Sequence, residues 1–86
     1  MPLHIQQLSA ASSITIFKAL ASTTRAQILE MLGERNMNIN ELSQALNIAQ
    51  PSVTKHIQIL EDAGLVEGDY SAGVQGMQKR CRRVHD

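Results

Sequence analysis

Residues 50–58 hold the side chains best equipped for recognition chemistry. Gln50 and Gln58 end in amides that donate and accept hydrogen bonds, Ser52 and Thr54 carry hydroxyls, and Lys55 adds a positive charge. Val53, Ile57 and Leu60 recur at helical spacing, which turns this polar set to the opposite side of the same helix. Such a set can bond base edges and phosphate oxygens. The same residue types also make ordinary solvated helix faces, and the helix pattern alone does not separate the two.

A second group lies near the C-terminal end. The formal net charge of the 86 residues is zero, which by itself argues against a nucleic-acid partner. The distribution argues the other way. Residues 1–78 contain four bases (Lys18, Arg25, Arg35, Lys55) and seven acids, whereas residues 79–86 contain Lys79, Arg80, Arg82 and Arg83 against Asp86 alone. A local basic strip is what attraction to phosphate requires, although a solvated charge run has the same composition.

Other chemistries find little footing. No nucleophile and base are paired by spacing, no glycine loop is shaped to cradle phosphate, and no two carboxylates are placed on one element for acid–base work, so catalytic residues are expected to be none and an enzyme is not expected. His4, His56 and His85 lack ligand spacing, and neither a metal nor another cofactor is expected. Cys81 is the sole cysteine, which rules out an intramolecular disulfide, suits a reducing compartment, and reads as a small buried or half-buried residue. No apolar run approaches the roughly 18 residues that cross a bilayer. A soluble, cytoplasmic chain without a membrane partner is the expectation.

The elements that must position these residues follow from periodicity and punctuation. Ile14, Phe17 and Leu20 mark a first helix over about residues 8–20. Ser22 caps a second, opened by Thr23 and Thr24, in which Ile28, Leu29 and Leu32 share a face and Gly33 lies near the end. Residues 34–38 read as a loop. Asn40 is expected to cap a short helix over 41–46 with Leu42, Ala45 and Leu46 inward and Ile39 packing back onto it. Residues 47–49 make a tight turn, Gln50 and Pro51 open a longer helix, and Gly64 stops it. A strand over 65–70, a tip over 71–76 and a returning strand over 77–84 complete one domain. Only one Phe and one Tyr are available, so aliphatic residues must build a small core that leaves apolar helix surface for a second subunit.

A short helix, a three-residue turn and a longer polar-faced helix over about residues 40–63 make a helix-turn-helix. The glycine-tipped basic ribbon over about residues 65–84 resembles the wing of winged-helix proteins, which would place Lys79, Arg80 and Arg82 along the nucleic-acid backbone. The fold class expected is mainly α with a small β-hairpin, a winged helix-turn-helix.

The runs IFKALASTTRAQILEML and MNINELSQALNIAQPSVTKHIQILEDAGLVEGDY together resemble the ArsR/SmtB-type winged-helix transcriptional regulators over residues 16–70. The resemblance implies sequence-specific binding of double-stranded DNA by a homodimer, as a regulator and in particular a repressor, with dimer contacts from the first helix. It places DNA-facing side chains at Gln50, Ser52, Thr54, Lys55 and His56, with Gln58 on the same outward side. Ala49 stands where the family often has a capping Ser. Asn38 and Asn40 occupy the positions at which many members carry a metal-binding Cys-x-Cys, which points to a non-metal-sensing member. The wing sequence is similar to that of members in which this domain begins a longer protein, and any effector-binding part would then lie outside these residues. A winged-helix module that holds another protein is the alternative, supported by the zero net charge and by Glu61 and Asp62 beside the recognition helix.

Overall fold

The computed structural model describes residues 13–73 and 76–84, with side chains outside 71–77. Helix α1 covers residues 13–20, and the expected start near residue 8 lies outside the described residues. Ser22 then caps α2, Thr23–Glu34, its hydroxyl accepting the backbone N–H of Arg25 at 3.2 Å. Such a cap contributes about 1 kcal/mol. Ile28 and Leu32 are buried and Leu29 packs beside them, the shared face the spacing predicts.

Of the loop expected over residues 34–38, only 35–36 is irregular. Glu34 closes α2, and Met37–Asn38 forms a two-residue strand, β1, that pairs antiparallel with the returning strand. Nor does Asn40 cap the next helix. Asn38 does, and α3 spans Ile39–Leu46. Asn38 Oδ1 accepts from Glu41 N at 2.7 Å while Glu41 Oε1 accepts from Asn38 N at 2.9 Å, a reciprocal capping box. This shift of the cap puts Ile39 inside the helix and turns Ala45 out to solvent; Leu42 is buried and Leu46 half-buried.

Asn47 takes the left-handed conformation (φ 56°) and ends α3, and the chain re-enters helix at α4, Gln50–Asp62. Ala49 offers no side-chain cap, and Pro51 sits in the first turn, where its missing N–H costs nothing. Gly64, at φ +74°, closes α4: its N–H donates to Glu61 O at 2.9 Å and that of Leu65 to Leu60 O at 3.0 Å.

Strand β2, Val66–Gly73, is longer than expected, strand β3, Gly76–Arg83, has the expected length shifted by one residue, and pairing continues from Val66↔Arg83 to Gly73↔Gly76. The expected tip over 71–76 is therefore mostly strand, and residues 74–75 lie outside the described residues. The sheet order is β1-β3-β2. Its inner face and the helices share one core of Ala19, Ile28, Leu32, Met37, Leu42, Val53, Ile57, Leu60, Val66 and Cys81. Packing on this core stabilises a ribbon that would be marginal in isolation.

Candidate nucleic-acid interface

Val53, Ile57 and Leu60 are fully buried, so α4 is pinned along one side. That leaves Gln50, Ser52, Thr54, Lys55 and Gln58 exposed together on the other. Two of these are aimed by neighbours: Gln50 Nε2 donates to Asn40 Oδ1 at 3.0 Å, and Gln58 Nε2 donates to Asp62 Oδ1 at 3.0 Å. Helix α3 braces α4 from behind through Leu42. At 13 residues, α4 is about 20 Å long, enough to lie in a DNA major groove.

His56 departs from this face. It is half-buried, and its Nδ1 lies 3.2 Å from Arg25 Nη1 on α2. A guanidinium only donates, so Nδ1 accepts and the neutral ring carries its proton on Nε2. Burial, and then the Arg25 charge, hold the His56 pKa below its ordinary 6.5.

The three wing cations are placed differently from one another. Arg80 is exposed and, among the described residues, makes no ion pair. Arg82 pairs across the hairpin with Glu67 and reaches Asp69 Oδ2 at 3.3 Å, with half its side chain open to water. Lys79 is turned inward. Its ammonium pairs with Glu61 of α4, with side chains only 13% and 23% exposed, and sits 5.7 Å from the Tyr70 ring centroid. This explains the imperfect alternation of β3: Lys79 shares the inward side with Cys81 by laying its stem on the sheet. Cys81 is buried, and burial pushes its thiol up to about 11.

An open groove of about 390 Å³ runs where α3, the start of α4 and the hairpin meet, lined among others by Asn40, Gln50, Thr54, Tyr70 and Gln78. Asn40, Tyr70 and Gln78 thus join the polar face, although sequence reasoning did not include them. Tyr70 is 67% exposed. Its signal was visible: the sole tyrosine of a chain poor in aromatics, at the end of the strand expected over 65–70. Among the described residues no group of His, Cys, Asp and Glu side chains is arranged to hold a metal ion. No helix among them is long and apolar enough to cross a membrane.

A helix-turn-helix on a three-stranded sheet, with its second helix uncovered beside a β-ribbon, defines a winged helix-turn-helix protein. Residues 22–68 match the family described as "Bacterial regulatory protein, arsR family", and the chain belongs to that family. It is a family of bacterial regulatory proteins. It is 33% identical over 67 residues to the transcriptional activator HlyU of Vibrio cholerae, a match covering 76% of this chain and 62% of that protein. To the HTH-type transcriptional repressor SmtB of Mycobacterium tuberculosis it is 39% identical over 56 residues, 65% of this chain and 42% of that one. The matches thus span under two thirds of either relative. The solved structure of reduced HlyU from Vibrio cholerae superposes with a TM-score of 0.78 at 26% identity, covering 96% of this chain and 83% of that chain.

Proposed function

We propose that this domain binds double-stranded DNA sequence-specifically as a homodimer and regulates transcription, as a repressor, in the cytoplasm. The observation that carries the reading is the uncovered polar side of α4, opposite a fully buried apolar side. Gln50, Ser52, Thr54 and Gln58 would read base edges and Lys55 a guanine or a phosphate, while Arg80 and Arg82 of the wing would lie along the backbone. Arg82 is free to exchange its exposed carboxylate partners for phosphate, since surface pairs so open to water are weak and screened by salt. Lys79 would act indirectly by holding the ribbon against α4. The dimer is supported by α1, whose Ile14, Phe17 and Leu20 stay 56%, 69% and 45% exposed in the single chain.

The test is selection of bound sites from a random duplex pool, followed by anisotropy titration of the selected site across salt. An inverted repeat is expected, and replacing Lys55 and Thr54 with Ala should abolish the preference for it. Equal affinity for selected and random duplex at every salt concentration would refute the proposal.

A further inference from the structure

Arg25 is held by three helices at once. The Ser22 hydroxyl that begins α2 takes its backbone N–H. Its Nε donates to Ala19 O at 2.6 Å and its Nη2 to Lys18 O at 3.0 Å, both in the last turn of α1. Its Nη1 donates to His56 Nδ1 on α4 at 3.2 Å. Carbonyls in the last turn of a helix lack their usual partner four residues on, and the guanidinium supplies one to Ala19 O and a second to Lys18 O, which also accepts from Ala21 N at 3.3 Å. A planar fork of donors can serve three acceptors in fixed directions, which a lysine ammonium on its flexible stem does not.

The helices so joined have different tasks. Helix α1 carries the exposed apolar face, and α4 carries the recognition side chains. In a two-fold dimer built on α1, the separation and tilt of the two α4 copies follow from how α4 is mounted on α1, and half-site spacing follows from that. We infer that Arg25 and His56 are a positioning pair that sets the recognition helix relative to the dimerising helix, so that His56 governs binding through Arg25 and not by touching DNA. The inference rests on the DNA-binding reading above.

The surroundings of His56 give the two roles opposite signs. From α2 it faces the Arg25 cation, the one charge that acts on it among the described residues, and the Lys18 and Ala19 carbonyls of α1 are reached only through Arg25. Protonation removes the acceptor at Nδ1 and sets a second cation against Arg25. A positioning histidine therefore weakens binding on acidification, whereas a histidine on a phosphate gains charge and strengthens it.

The full chain is titrated at constant ionic strength with its selected inverted-repeat duplex and with a single half-site, at about pH 7.5 and 5.5. Wild type should lose several-fold on the inverted repeat at the lower pH, a loss that linkage caps at about tenfold because the folded His56 pKa already lies below 6.5. His56→Gln, whose amide oxygen can still accept from Arg25, should remove that pH dependence. Arg25→Lys should weaken the inverted repeat about tenfold and leave the half-site unchanged. Tighter wild-type binding at low pH, lost in His56→Gln, would make His56 a DNA contact and overturn the inference. Equal losses on both duplexes in Arg25→Lys would overturn it as well. Should Arg25→Lys fold poorly, the wild-type and His56→Gln pH profiles decide alone. If wild type selects no duplex at all, the DNA-binding reading itself fails and the inference falls with it.

Discussion

Gly68 stands opposite Cys81 in the ladder, and the Lys79 stem crosses over it to reach Glu61. A Cβ at Gly68 would stand 2.5 Å from Lys79 Cε and 3.4 Å from its Cγ, so any side chain there displaces the lysine. Burial draws the Lys79 pKa down, but the hydrogen bond and charge of Glu61 outweigh it and the value lies above 10.5. Because the folded pKa is raised, the pair's contribution is complete below 10.5 and is lost only as pH rises through the folded value. Gly68→Ala and Lys79→Ala should each lower stability by about 1 kcal/mol, and the double variant by no more than the larger single effect, because both break one contact. Urea melts of the three variants check this. Additive losses would mean that the glycine serves something other than passage of the lysine.

At the scale of elements, the end of α4 offers the cleanest measurement. Nothing lies within 4 Å of a Cβ built at Gly64, so Gly64→Ala meets no clash and feels only its φ of +74°. A loss of about 1 kcal/mol is expected, the cost of a left-handed backbone for an L residue, with α4 otherwise unchanged by circular dichroism. This glycine was legible in the sequence, as was the whole of α4, because Val53, Ile57 and Leu60 repeat at the helical period and Pro51 and Gly64 bracket them. Helix α3 was legible in existence but not in start. Asn38 and Asn40 are both good caps, and the choice fell to Glu41, which stands three residues after Asn38 and can close the box. Strand β1 was not legible, since two residues carry no period and its existence depends on Met37 meeting Cys81 44 positions away. The same reason hid the pairing of Lys79 with Glu61 and of Arg25 with His56: local pattern cannot report a partner 18 or 31 residues distant. The exposed polar side of α4 could be read from sequence because one helix carries it; the contact of Arg25 with His56 could not, because three helices share it.

For the whole molecule, acidity and association are the two global tests. His56, lowered by burial and by Arg25, and Glu41, lowered by the Asn38 backbone N–H despite opposing burial, both have folded pKa values below their ordinary ones. The unfolded chain therefore binds more protons, and stability falls as pH drops: from 6.5 down through the folded His56 value, then from 4.5 down through that of Glu41. His56→Gln should erase the upper step in urea midpoint against pH and keep the lower one. Association is probed at Phe17. With 69% of it exposed, Phe17→Asp has almost no intramolecular packing to lose, so the thermal midpoint of the isolated chain should barely move. In a dimer built on this face the same change would put a carboxylate in the interface in place of a ring, forfeiting about 2 kcal/mol of burial per copy and adding the desolvation of a charge. Sedimentation should then show a dimer for wild type and a monomer for Phe17→Asp, and affinity for an inverted repeat should drop while that for a half-site holds. A wild-type chain that stays monomeric at micromolar concentration, or a variant that dimerises as well as wild type, would mean that the face formed by Ile14, Phe17 and Leu20 serves some other contact.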